Sequence, residues 1–393
     1  MLSGFLSLSL LVLNLSYAPI WDSPRPDVSW FQPSPQKVSP ELSAYAILEE
    51  ASEKMEYPRG HPKLRNWVSE PETSSRTTRE TLIQELLQYD KVLNQLKGQV
   101  HFRPEISYEG VKKMNVLFLR DLAFYQQLLT FHAIEDGDPE KAIHYAIESI
   151  EFSLNITGKG GSLIHEMVAS MMLGLALENV ERILSAFPDH PPSSLMRSLL
   201  SIPDMRKAGW SMLQAEARFM WDYQEDRPHL PTFMETGIII LTWDFSAWWL
   251  ELPAPPLLFH PNRTTGYYFE QFQRWKTYLE TPPSKRAEVP PPEPLNVKPD
   301  IRNYVGIRVF NSLDVLMKPI EVLQEKEAKS HALILMTFQN RNQVPPDSWV
   351  YDPFTGNALK VTEDGTEVIS TGPDQQFGTG DDVTFPIPES LRK

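Results

Sequence analysis

From about residue 41 to 221, apolar residues recur every three or four positions, the period of helices with one buried face. Leu82, Ile83, Leu86, Leu87, Leu93 and Leu96 form one such stripe, and Thr77-Thr78-Arg79-Glu80 ahead of it offers a helix start. Leu119, Leu122, Ala123, Leu128 and Leu129 form a second. Asp136-Gly137-Asp138-Pro139-Glu140 then reads as a turn, with Asp138 placed to cap the next helix and Pro139 suited to its first position. Ala142, Ile143, Ala146, Ile147 and Ile150 follow, and glycines at 158–161 break the pattern. The longest stripe runs from Ile164 through Met172, Leu175 and Ala176 to Leu184, and Leu175 near its middle is expected in the core. A further helical stretch spans about 303–341, with Pro319 expected to kink or divide it.

After residue 342 the period changes. Asp352-Pro353 and Gly356-Asn357 form a turn, and 358–361 and 366–370 then read as a hairpin across Glu363-Asp364-Gly365. The fold class that follows is mainly α: a helical bundle, a long helix and a small antiparallel β-domain. The step Gly137-Asp138-Pro139-Glu140-Lys141-Ala142 is similar to the turn of a tetratricopeptide-type hairpin, but no 34-residue repeat recurs, so a plain bundle is preferred to a repeat array. The expected divisions are 1–21, a signal peptide or N-terminal anchor; 22–40, a Pro-rich linker; 41–300, the helical domain; 301–341, the long helix; and 342–393, the β-domain.

Composition narrows the function. Net charge is 37 − 51 = −14, which argues against nucleic acid and against anionic lipid headgroups as partners. The absence of cysteine removes disulfides, thiolate metal sites and cysteine nucleophiles. Residues 1–21 carry no charge, with an apolar run at 5–13 and small residues at Ser16 and Ala18 ahead of Pro19. Both a cleaved signal and a retained anchor fit that segment, and it is the expected membrane contact. Trp243, Trp248 and Trp249 lie in an apolar stretch interrupted by Asp244 and Glu251, so it is too broken to span a bilayer. It reads as a buried amphipathic helix, the alternative being a ligand groove.

The tail carries the sharpest chemistry. Asp374, Asp381 and Asp382 fall within nine positions, and Gly372, Gly378 and Gly380 let the backbone curl so that carbonyls turn inward, a donor set suited to calcium. With Asp352-Pro353-Phe354-Thr355-Gly356-Asn357, this segment resembles the C-terminal β-domain of the major pseudopilins of type II secretion systems. The resemblance covers roughly 320–387. It implies export and a calcium ion held by Asp374 and by Asp381 or Asp382, with Ser370 and nearby carbonyls completing the shell. Two positions depart from the pattern: Gln375 stands where glycine is usual, and Thr384 where aspartate is common. The leader glutamate of a pseudopilin is also missing. The chain as a whole looks like exported helical proteins of planctomycete-like bacteria.

Other motifs dissolve on inspection. His165-Glu166 lacks the second histidine of a zinc-protease helix, since position 169 is Ala, and it reads as a helix-surface pair. Thr157-Gly158-Lys159-Gly160-Gly161-Ser162 lacks the spacing of a phosphate loop and reads as a helix end. Glu216 is expected in an ion pair with Arg206 or Arg218. The function expected is that of an exported, non-enzymatic envelope scaffold with a structural calcium, working with other envelope proteins. A hydrolase with its site in the helical domain and a secretion-system accessory subunit are the alternatives.

Overall fold

A computed structural model describes residues 43–54, 61–71, 74–97, 102, 116–159, 163–189, 193–226, 261–293, 318–341, 343–346 and 349–392. The expected N-terminal signal or anchor, the Pro-rich linker and the Trp-rich stretch lie outside them, as does the side chain of Glu216. The chain is mainly α with a small antiparallel sheet at its C-terminal end. The helices are α1 (Ala44–Lys54), α2 (Pro62–Ser69), α3 (Arg76–Glu85), α4 (Leu87–Leu96), α5 (Val116–Glu135), α6 (Pro139–Ile156), α7 (Leu163–Ala186), α8 (Ser193–Leu200), α9 (Met205–Asp226), α10 (Pro261–Leu279) and α11 (Lys318–Asn340). A 3-10 turn, Pro283–Glu288, follows α10. The strands are β1 (Lys360–Val361), β2 (Glu367–Ser370) and β3 (Val383–Pro386), and a last 3-10 turn covers Glu389–Leu391.

The chain divides into two compact units. One comprises 1–32, 217–277 and 292–318; its best-described part is the body of α10, where Tyr268, Phe269 and Phe272 stack at 6.3 and 6.4 Å. The other comprises 33–216, 278–291 and 319–393 and is described from here on.

Local chemistry sets its helix ends. Asp138 accepts the Lys141 amide at 3.1 Å and Pro139 opens α6, as the sequence leads one to expect. The cap of α3 is Ser75, whose hydroxyl accepts the Thr78 amide at 3.2 Å, two residues before the start expected at Thr77. Thr157 and left-handed Gly158 (φ +68°) end α6. Pro319 does not kink a helix; it sits in the first turn of α11, where its missing N–H costs nothing. Residues 301–317, expected to lengthen that helix, lie outside the described set.

Helices α5, α6 and α7 pack against one another, and α7 links two apolar cores. Its first half contributes Ala169 and Met172 to a core shared with α1 to α5. Its second half gives Leu173, Leu177, Val180 and Leu184 to a core shared with α6, α8 and α11. Leu175 is only half-buried, because the fully buried face of α7 is centred on Leu173 and Leu177. By length and composition α7 could cross a bilayer, but 61% of its apolar window is buried.

The sheet has the order β1-β2-β3, antiparallel throughout, with Val361 opposite Val368 and Val368 opposite Phe385. The hairpin expected across Glu363-Asp364-Gly365 is present: Gly365 N–H reaches Thr362 O at 2.9 Å, and the Thr366 and Glu367 amides reach Thr362 Oγ1. The third strand is an addition to the sequence reading. Val350, Leu359, Val368, Phe385, Ile387 and Leu391 join the core of α6, α7 and α11.

Candidate functional site

The Asp-Pro turn is the centre of the polar structure. Asp352 N–H donates to Asn357 O at 2.7 Å, and Gly356 N–H donates to Asp352 O at 2.6 Å, closing the turn from both sides. Gly356 has φ +74°, and a Cβ there would lie 1.7 Å from the Pro283 carbonyl oxygen, so only glycine lets the turn approach the 3-10 segment. The Asp352 side chain is fully buried. Its Oδ1 accepts Phe354 N–H at 3.0 Å and Ser370 O–H at 2.9 Å; its Oδ2 accepts Thr371 N–H at 2.9 Å and Thr371 O–H at 2.6 Å. Four donors replace water around this carboxylate, which fastens the turn to the end of β2.

Two fully buried arginines fasten the same turn to the helical body. Arg206, at the start of α9, donates to Phe354 O at 2.8 Å, to Tyr278 O at 3.1 Å and to Tyr278 Oη at 3.0 Å, and lies 4.0 Å over the Tyr278 ring. Arg286 donates to Pro353 O at 2.9 Å and pairs with Asp204 at 2.6 Å. Beneath them on α11 lies Glu327. One of its oxygens accepts Met205 N–H at 2.8 Å and the other accepts Tyr351 O–H at 2.9 Å. Burial, with Asp204 adding to it, pushes the Glu327 carboxyl up to about 7. Burial also lowers the Arg206 guanidinium to about 10 and holds His331 below its ordinary value. His331 Nδ1 sits 2.6 Å from Tyr351 O. This clasp joins α9, the 3-10 turn and α11 to the two carbonyls that follow Asp352.

The acidic loop lies just beyond β2. Asp381 Oδ2 accepts Asp374 N–H at 2.8 Å and its Oδ1 accepts Thr379 O–H at 2.6 Å; Asp382 Oδ2 accepts Gly378 N–H at 2.7 Å. Slight burial opposes the charge of Asp381, but the Thr379 hydroxyl and the Asp374 amide outweigh it and hold its pKa below the usual carboxylate value. The same loop thus carries the Asp374, Asp381 and Asp382 carboxylates, with Asp381 Oδ2 turned onto the Asp374 backbone. Asp382 Oδ1 is buried with no protein donor. Crowded anionic oxygens of this kind fit a hard divalent ion. Among the described residues no three acidic or histidine side chains converge, so such an ion would also draw on carbonyl and water oxygens. Of the four residues expected around it, Asp374, Asp381 and Asp382 share the loop. Ser370 does not, because its hydroxyl is committed to Asp352.

His165 and Glu166 are not a surface pair; both are buried, at 1% and 0% exposure. Glu166 Oε1 accepts Gly158 N–H at 2.9 Å, while Oε2 is buried with no partner among the described residues. Burial pushes Glu166 up to about 8 and His165 down to about 4. Tyr45 of α1 packs edge-on to His165 at 5.3 Å. Arg206 bonds to the Phe354 carbonyl and to Tyr278, and the ion pair expected for Glu216 with Arg206 or Arg218 falls on a side chain outside the described residues.

The clasp residues escape a motif search. Their signal is a charge on an apolar stripe: Arg206 shares a helical face with Gly209 and Leu213, and Glu327 with Leu323 and Ile334. No family model, curated protein or solved structure matches the chain.

Proposed function

We propose that the protein is an exported, non-enzymatic scaffold of the cell envelope, whose helical body carries a β-tail stiffened by calcium. One observation carries the non-enzymatic reading: the buried charged side chains of the clasp bond to tail carbonyls, to Tyr278, to the Tyr351 hydroxyl, to the Met205 amide and to Asp204. Groups so committed hold structure. The calcium reading rests on the Asp374, Asp381 and Asp382 carboxylates gathered in one loop and on Asp382 Oδ1, buried with no donor among the described residues. Export rests on the apolar first 21 residues and on the resemblance of the tail to an exported domain. Partners are then other envelope proteins.

Calorimetry of the purified chain tests the loop. Millimolar calcium should raise the melting temperature and chelator should lower it, because a ligand bound only by the folded state adds stability. Asp381→Ala combined with Asp382→Ala should abolish the difference, while Asp364→Ala on the hairpin turn should keep it. Identical curves in calcium and chelator would remove calcium from the reading. Fusing residues 1–40 to an alkaline phosphatase that is active only outside the cytoplasm tests export; an inactive fusion would remove it.

A further inference from the structure

Gln375 is the non-glycine residue with positive φ among those described, at +63°. A long side chain in left-handed backbone costs conformational energy that glycine avoids. Its side chain shows what offsets that cost. Gln375 Nε2 reaches out of the acidic loop to Phe354 O at 3.2 Å and to Val289 O at 3.4 Å. Phe354 O is the same oxygen that Arg206 holds at 2.8 Å. One carbonyl therefore takes a donor from the helical body and another from the loop. Within the loop, Gln375 lies directly between Asp374, whose amide is held by Asp381, and Gln376, whose amide donates to Asp374 Oδ1 at 2.8 Å. The backbone of Gln375 cannot shift without moving those carboxylates, and its side chain cannot shift without loosening the clasp.

We infer that Gln375 is a latch through which a divalent cation at the acidic loop tightens the clasp on the Asp-Pro turn. A cation drawing Asp374 and Asp381 together fixes the backbone on both sides of Gln375 and so fixes the reach of its amide. The bond to Phe354 O then persists, and with it the geometry that Arg206 and Arg286 grip. This rests on the loop reading above for its stimulus; the mechanical link from loop to clasp does not.

Hydrogen exchange on the full chain, read at the Phe354, Gly356 and Thr371 amides, tests it alongside calorimetric titration with calcium alone. These amides donate to Asp352, so they report opening of the turn. The variant is Gln375→Asn, which tolerates left-handed backbone and keeps an amide but is one methylene too short to reach Phe354 O. In chelator, Gln375→Asn should exchange about fivefold faster at these amides, the size expected for one net hydrogen bond. Calcium should slow wild-type exchange there. By reciprocity it should bind Gln375→Asn more weakly, by about the factor through which it slows the wild-type clasp, and leave clasp exchange in that variant nearly unchanged. Gln375→Gly, which removes the backbone cost as well as the latch, should also exchange faster. A residue serving only the turn would make both variants exchange as slowly as wild type or slower, and that result overturns the latch. Full calcium slowing in Gln375→Asn overturns it too, as does calcium binding to wild type with no change at the clasp. If calcium does not bind wild type, the loop reading and the coupling fail together. The chelator comparison alone then decides whether the mechanical link exists.

Discussion

Gly356 and Gly365 both have left-handed backbone, yet their surroundings differ. A Cβ at Gly365 meets nothing within 4 Å, whereas at Gly356 it would overlap the Pro283 carbonyl. Gly365→Ala should therefore cost about 1 kcal/mol, the backbone penalty alone. Gly356→Ala adds a clash with backbone and should cost about 3 kcal/mol or more, read by denaturant unfolding. The second residue to test is Glu166. Its folded pKa of about 8 lies above its ordinary 4.5, because burial disfavours the charge. The folded state thus holds a proton that the unfolded state releases. The stability this confers is complete below pH 4.5 and is lost as pH rises toward 8. Each pH unit in that window removes roughly 1.4 kcal/mol of the share due to Glu166. Glu166→Gln keeps the neutral shape, so its stability should fall less than that of wild type between pH 5 and 8. Parallel curves would show that Glu166 ionises freely in the fold. Neither behaviour can be read from the sequence. A glycine's neighbour 73 positions away and the depth of a carboxylate are products of packing, which periodicity places only approximately. His165-Glu166 shows the limit: side by side on a helix, they suggest exposure, and α7 is buried on most of its circumference.

Elements are where the sequence is most informative. Helices α3 to α7 and the tail hairpin follow from apolar spacing and turn residues, because those signals are local. Their ends are less exact: Ser75 outcompetes Thr77 as a cap because its hydroxyl meets the Thr78 amide. The rotation of α7 is less exact again. An apolar stripe this broad leaves the helix several faces to bury, and contact with α5 and α6 selects among them. Leu173→Ala, at a fully buried position, should destabilise by about 2–5 kcal/mol. Leu175→Ala should cost clearly less, since its side chain keeps part of its exposure on folding. Equal losses in thermal or chemical unfolding would put the helix in the wrong rotation. Strand β3 is missed for a related reason: it is four residues long, and its pairing with β2 is fixed by the loop between them rather than by an alternating pattern of its own.

At the scale of the molecule, the tail is part of the core that it completes. Six apolar residues between Val350 and Leu391 pack into the same cluster as α6, α7 and α11, and the clasp binds the turn among them. The acidic loop was legible as chemistry, because glycines and aspartates announce it. The clasp was not, because its arginines come from positions 206 and 286 and meet the turn only in three dimensions. The arrangement also sets an order of events during synthesis. A ribosome makes α11 before the turn and strands that follow it in the chain. Until those residues emerge, the face of the body that awaits them stays wet and the two buried guanidiniums lack the carbonyls they grip. Closure of the body thus waits on the turn and strands that follow α11. A chain cut short by nonsense codon or by proteolysis loses more than a tail, because what remains cannot close.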